Sequence, residues 1–284
     1  MKKLFLLTAL TAGLIAVAAC KKDKPVNPEV LPEPAEASLA KKLDLADNAQ
    51  HITSIEFTEA GRYIITFYEA DPDDYIATKS FGYMYRHITG AYTFNNNTYN
   101  LEGYGKVTIN GSNVTVTPTD GTEIAVNYTE QAAYPESDFL LTLARTWKVD
   151  NVRMSVLLNG NAVTVTRQGC DLPAIAEELN KNGVQINTES VAGYVVEDII
   201  FTRNKTFAIE FTGRDPFVSE FVLAQNQDFS IKTPQNNGLS LSSIQGHMDY
   251  VPDDQQLVIN LSVHIESDAQ QYDGSILLFL SEVQ

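Results

Sequence analysis

From Ile52 onward the sequence alternates apolar and polar residues over short runs, and this period of two constrains the fold more than any other feature. Successive side chains of a strand point to opposite faces, so such a run buries one face and wets the other. Ile55-Glu56-Phe57, Tyr63 to Phe67, Val107 to Ile109 and Val114 to Thr117 read as strands. So do Ile124 to Tyr128, Phe207 to Phe211, Leu257 to Val263 and Ile276 to Leu280. Asn110-Gly111, Asp120-Gly121 and Asn159-Gly160 supply the positive φ that tight hairpins need. One helix is predicted over 171–182: Asp171 caps it, Pro173 suits its first turn, Ile175 and Leu179 face inward, and Asn182-Gly183 ends it. A second short helix is predicted over Ser38 to Asn48, with Leu39, Leu43 and Ala46 on one face. The expected class is mainly β, made of antiparallel meanders with small helical additions.

Charge narrows the partners. The chain has 20 Lys and Arg against 36 Asp and Glu, a formal charge of −16. Nucleic-acid affinity comes mostly from Lys and Arg neutralising phosphates, so nucleic acid is excluded as a partner. The hydrophobic fraction of 44% leaves enough apolar surface for one large core or two small ones.

The first residues are of another kind. Lys2 and Lys3 precede Leu4 to Ala19, which carries no charge, and small residues then lead to Cys20. That is the composition of a secretory signal. At about 1.5 Å per residue the apolar run reaches only about 24 Å, short of the roughly 30 Å hydrocarbon core. The ending Val17-Ala18-Ala19-Cys20 resembles the lipobox of bacterial lipoproteins. The resemblance implies cleavage before Cys20, a diacylglycerol on its thiol and acylation of the new amino terminus, hence a membrane partner through Cys20. Lys21, Lys22 and Lys24 follow where they meet anionic headgroups, and Pro25, Pro28, Pro32 and Pro34 make a semi-rigid tether. The layout looks like lipoproteins of Bacteroides-type bacteria. The expected location is therefore the outer membrane, with the periplasmic and cell-surface faces both open. With Cys20 lipidated, Cys170 is the one thiol left and no intrachain disulfide is possible.

The expected division is a signal peptide over 1–19, a Pro-rich tether over 20–37, an antiparallel β domain over 38–134 and a second β domain over 135–284. The two β regions echo each other. Ile55 to Phe67 aligns with Ile199 to Phe211, 144 residues later, with identities at Ile55, Phe57, Thr58, Ile65 and Phe67. Two meanders built on one plan would give this, and so would chance pairing of strand–turn–strand segments. The second region opens Leu140-Leu141-Thr142-Leu143-Ala144-Arg145-Thr146-Trp147 and then a strand. A Trp at the head of the first strand after an apolar helical turn looks like the lipocalin-like (calycin) barrels. That resemblance implies an eight-stranded barrel closed at its floor by Trp147. Arg145 stands where the family carries Gly, and the helix over 171–182 interrupts the early strands.

The chemistry-bearing residues are dispersed. There is no Gly-x-Ser-x-Gly elbow and no short motif placing His beside a nucleophile, so no catalytic residue and no cofactor is expected. His51, His87, His247 and His264 are scattered without a ligand-pair spacing. Cys170 lies just ahead of the predicted helix, where the dipole favours thiolate, though a lone Cys is usually a buried small hydrophobe. The acidic loop around Glu69, Asp71, Asp73 and Asp74 has the oxygens that Ca²⁺ wants but not the EF-hand spacing; a solvated hairpin tip explains it equally well. Tyr83 and Tyr85, with Tyr92 close by, form the densest aromatic stretch, suited to stacking on sugar rings or packing on apolar ligands. The same tyrosines also serve as strand formers. The reading is a lipid-anchored, non-catalytic envelope module binding a small hydrophobic ligand or glycan through the Tyr83/Tyr85/Tyr92 face or the mouth of the Trp147 domain. The alternatives are an adhesin-like assembly subunit with bare strand edges and a glycan hydrolase with dispersed carboxylates.

Overall fold

The computed structural model describes residues 36–68, 85–134, 137–231, 244–267 and 270–283. The chain is mainly β and antiparallel, and it closes two eight-stranded barrels. Strands β1 (Lys41–Leu45), β2 (Ile52–Phe57), β3 (Arg62–Tyr68) and β4 (Tyr85–Asn95) begin the first. It continues through β5 (Thr98–Leu101), β6 (Gly105–Asn110), β7 (Asn113–Pro118) and β8 (Ile124–Glu130), and β8 pairs back onto β1. Helix α1 (Asp138–Leu143) then leads into β9 (Thr146–Leu158), β10 (Asn161–Gln168), β11 (Cys170–Asp171) and helix α2 (Leu172–Lys181). The lipocalin-like second barrel is completed by β12 (Val195–Phe201), β13 (Thr206–Phe211), β14 (Arg214–Leu223) and β15 (Asp228–Ile231). Strands β16 (Ile244–Val251), β17 (Gln256–Ser267) and β18 (Gln270–Glu282) follow. Here β9 pairs with both β12 and β18, which closes the ring, while β10 hangs on the outside of β9.

Helix α2 forms where capping chemistry places it. The Asp171 carboxylate accepts from the Ala174 backbone N–H at 2.9 Å, Pro173 sits in the first turn, and Ile175 and Leu179 are buried. The helix expected over Ser38 to Asn48 is not there. A 3₁₀ turn, Ala37–Leu39, is followed by β1. Leu43 is fully buried, and β1 is hydrogen-bonded on both sides, to β2 and β8. Two ladders of backbone bonds outweigh the helix propensity of a Leu-, Lys- and Ala-rich stretch.

The barrels share one register. Pairing of Ile55 with Ile65 in the first corresponds to pairing of Ile199 with Ile209 in the second. The ladder shifts at the same place in each, between Ile52 and Ser54 and between Val196 and Asp198. The hairpin turns also agree bond for bond. The Arg62 backbone N–H donates to Thr58 Oγ1 and the Thr206 N–H to Thr202 Oγ1, both at 3.1 Å. Gly61 and Lys205 occupy the same left-handed position, with φ of 71° and 59°. At the seam, Leu43 faces Ile55 and Glu130, and Trp147 faces Ile199 and Glu282. The echo 144 residues apart is therefore a repeat of structure.

Each barrel interior is filled by its own side chains. Leu43, Ile55, Phe57, Tyr63, Tyr92, Tyr99 and Val107 pack the first. Trp147, Phe201, Phe207, Phe221, Phe229, Met248 and Leu280 pack the second. Burying each such side chain contributes about 1.5–3 kcal/mol, so each barrel has a core of its own.

Candidate functional site

The faces that meet between the barrels are the outer faces of the two equivalent hairpins. In β2 and β3 the odd positions Ile55, Phe57, Tyr63 and Ile65 point into the first barrel. Alternation therefore turns Glu56, Arg62 and Ile64 outward. The same rule in β12 and β13 turns Asp198, Ile200, Thr206, Ala208 and Glu210 outward. Ile64, Ile200 and Ala208 are buried together as a small apolar seam with Val218 against it. Ile64 and Ala208 are equivalent positions of the repeat, so related surfaces face each other as in an isologous dimer contact.

Charged residues ring that seam. Glu56, 2% exposed, accepts from Thr206 Oγ1 at 2.6 Å and from Asn204 Nδ2 at 3.3 Å, with Lys42 Nζ at 3.8 Å. Glu59, also 2% exposed, accepts from the Arg203 backbone N–H at 3.3 Å and pairs with the Arg203 guanidinium at 3.7 Å. Burial, with the nearby charge of Glu56, pushes the Glu59 carboxyl up to about 7. Glu59 and Arg203 are again equivalent positions, one anionic and one cationic.

At one end the seam opens into a cleft of about 220 Å³. Arg62 and Thr89 line it from the first barrel, and Glu197, Asp198, Glu210, Phe211, Arg214 and Pro216 from the second. Arg62 bridges it, one guanidinium nitrogen bonding Glu210 Oε2. Burial works against the Arg62 charge, but the hydrogen bond and charge of Glu210 outweigh it and raise its pKa. Asp198 is the cross-strand partner of Glu210. Burial and the Glu210 charge hold its carboxyl above the usual carboxylate range. Arg214 stacks over Tyr194, 4.2 Å from the ring centre. Two buried polar atoms of this bridging pair have no hydrogen-bond partner among the described residues: Glu210 Oε1, an acceptor, and Arg62 Nε, a donor. Both atoms belong to the Arg62–Glu210 ion pair and are closed off from solvent.

Comparison of the chain with known protein families, with curated proteins and with solved structures finds no match.

The structure disperses the residues singled out in the sequence. Cys20, Tyr83 and the acidic residues Glu69, Asp71, Asp73 and Asp74 lie outside the described residues. Tyr85 is exposed on the outside of β4, where its ring meets Tyr68 edge-on at 5.7 Å. Tyr92, an odd number of positions along the same strand, points inward and donates its hydroxyl to the Thr58 carbonyl at 3.1 Å. These two tyrosines do not share a face. Trp147 is fully buried under α1 and donates Nε1–H to the Leu143 carbonyl at 3.0 Å. Arg145 beside it is buried, bonding the Thr142 carbonyl and Glu282 Oε1. Cys170 is not activated by α2: burial, with the Asp171 charge adding, pushes its thiol up to about 12. Among the described residues no group of three or more His, Cys, Asp and Glu is placed to hold a metal ion. The cleft residues went unnoticed in the sequence, although outward charges at Arg62, Asp198 and Glu210 within otherwise apolar strands were the available signal.

Proposed function

We propose that the chain is a lipid-anchored protein of the bacterial outer membrane whose two barrels form a non-catalytic module that binds a small polar ligand or glycan in the cleft between them. The anchor is Cys20, by the resemblance of Val17-Ala18-Ala19-Cys20 to a lipobox. More than one acyl chain there gives stable attachment, which a single chain does not. The observation that carries the ligand reading is the cleft itself, which both barrels line with charged and polar side chains. The packed interiors count against an apolar ligand inside either barrel, as does the burial of Tyr92 and Trp147.

The test is thermal unfolding of the full chain against panels of neutral, amino and acidic sugars and of fatty acids. A ligand at a hundred times its Kd adds about 2.7 kcal/mol of stability. A shift with a sugar class supports capture in the cleft. A shift with fatty acids alone, or with none of the panel, contradicts it. Mass spectrometry of the native protein tests the anchor, and an unmodified Cys20 thiol refutes it.

One observation favours a second reading. The outer edge of β10 pairs with no described strand, and Ala162, Thr164 and Thr166 along it are exposed. A bare edge is a template for strand addition, the route by which an assembly subunit joins its neighbours. Concentration-dependent association in sedimentation, abolished by Thr164→Pro, would favour that reading over capture.

A further inference from the structure

The barrels meet over a contact that is thin in apolar surface and rich in charge. Among the described residues only Ile64, Ile200 and Ala208 are buried together there, with Val218 against them, while each barrel keeps a large core of its own. Between β8 and α1, Gln131 to Tyr134 lie in neither strand nor helix. A small, polar contact between domains opens more readily than the domains unfold. We infer that this contact is a proton-operated latch, held shut while the Glu59 carboxyl carries a proton and loosened when that proton leaves, so that the barrels part without unfolding.

Two carboxyls share the contact, and they are held unequally. Glu56 accepts from Thr206 Oγ1 at 2.6 Å and Asn204 Nδ2 at 3.3 Å, with Lys42 Nζ at 3.8 Å. Glu59, in the β2–β3 turn, is equally buried under the β12–β13 turn of the other barrel. Its Oε1 has the Arg203 backbone N–H at 3.3 Å and the guanidinium at 3.7 Å, and its Oε2 has no hydrogen-bond partner among the described residues. A buried oxygen lacking a donor costs more charged than neutral, so Glu59 is the carboxyl that keeps a proton. Burial, with the Glu56 charge adding and its own backbone N–H and Arg203 opposing, places it at about 7.

The surrounding charges are engaged elsewhere. Lys42 on β1 serves Glu56 and Thr206, Arg62 on β3 bonds Glu210, and Lys205 in the facing turn lies over the Tyr134 ring. Glu36, ahead of the 3₁₀ turn, and Tyr92 on β4 bring no cation. Parting the barrels returns Glu59 to water and to its ordinary 4.5. A carboxyl whose pKa is raised by docking favours docking fully below about 4.5, and that contribution fades as pH rises through 7. The same motion divides the cleft, since Arg62 and Thr89 stay with one barrel and the rest of its lining with the other. The latch stands whatever the cleft holds.

Thiol labelling of the full chain carrying Ala208→Cys with dithiodipyridine tests this, with Cys170 as an internal reference. Position 208 is buried in the seam and Cys170 in the second core, and peptide mass spectrometry reads each sulfur separately. With reagent dilute enough that the barrels reclose before reacting, the rate follows the equilibrium of parting. Position 208 is expected to react faster than Cys170. Glu59→Gln imitates the protonated carboxyl and should slow labelling at 208. The rate with Glu59 divided by the rate with Gln should rise from about fourfold at pH 5 to about 300-fold at pH 8, the fold-changes given by a shift from 4.5 to about 7. That ratio cancels the titration of the thiol and of His87, which both chains share. A ratio that stays flat or falls overturns Glu59 as the proton site. Labelling at 208 no faster than at Cys170 overturns the parting of intact barrels. Val218→Cys, on the same seam, gives the same readings where Ala208→Cys does not fold.

Discussion

The first barrel fills its interior with tyrosines where the second places phenylalanines. Tyr63, Tyr92 and Tyr99 correspond in register to Phe207, Phe221 and Phe229. Each tyrosine hydroxyl reaches a carbonyl: Glu102 for Tyr63, Thr58 for Tyr92 and Leu39 for Tyr99. The second barrel does without those bonds. It has Trp147 where the first has Leu43, longer strands at β9, β17 and β18, and α2 packed against the inserted β10 and β11. One register thus supports two interior chemistries. The register follows from strand pairing and the repeated bulge, while the contents need only fill the space and satisfy their own polar atoms. The outer faces differ more sharply, because only there do equivalent positions meet, as Glu59 meets Arg203.

Truncation at the seam should give the largest contrast. Trp147→Ala is expected to cost about 4 kcal/mol and Leu43→Ala about 3, by the usual cost of emptying a core site. Urea unfolding that shows less than about 1 kcal/mol at either position would break the equivalence of the two seams.

Next comes pH. Because the folded Glu59 carboxyl sits at about 7, above its ordinary 4.5, its contribution is fully present below about 4.5 and is lost as pH rises through 7. The loss approaches about 3 kcal/mol. His87, pushed down by burial to about 4, acts in the opposite sense over an overlapping window, where stability is lost as pH falls from 6.5 through 4. The two slopes cancel between about pH 4.5 and 6.5, so chemical denaturation should show a plateau there. Glu59→Gln should uncover the His87 slope, so that stability rises with pH up to 6.5, and should remove the fall between 6.5 and 7.

Exchanging the aromatic pair gives a smaller asymmetry. Tyr92→Phe loses one hydrogen bond, about 1 kcal/mol, while Phe221→Tyr buries a hydroxyl in an apolar core at about 1–3 kcal/mol. Equal costs would mean that the second core holds an acceptor within reach of position 221. The smallest effect lies in the turns. Gly61→Ala puts a Cβ on a left-handed residue and should cost about 1 kcal/mol. Its new atom meets only Glu36 Cγ, at an ordinary 3.5 Å. Lys205→Gly relaxes the equivalent strain but gives up the Lys205–Tyr134 contact at 4.3 Å, so its net change in thermal stability should stay within about 0.5 kcal/mol.

Much of the fold was legible because its signals are local. Alternation in Ile124 to Tyr128, the Asn-Gly and Asp-Gly turns, and the Asp171 cap all act within a few residues. Leu39, Leu43 and Ala46 misled because their spacing fits a helix, whereas β1 exists by pairing with β2 and with the distant β8. The cleft was not legible for the same reason. Arg62 and Glu210 are 148 residues apart, and each looks like a solvated strand charge until two barrels bring them together. Tyr92 has the composition of a binding surface, and only its inward parity on β4 makes it core.

The proposed function puts any ligand between the barrels rather than inside them. Backbone amide NMR of the full chain titrated with each sugar of the panel separates the two. The expected result is a set of shifted resonances confined to residues around Arg62, Thr89, Asp198, Glu210 and Phe211. Shifts gathered instead around Tyr92 and Tyr99, or around Trp147 and Tyr250, would place the ligand inside a barrel and contradict the account.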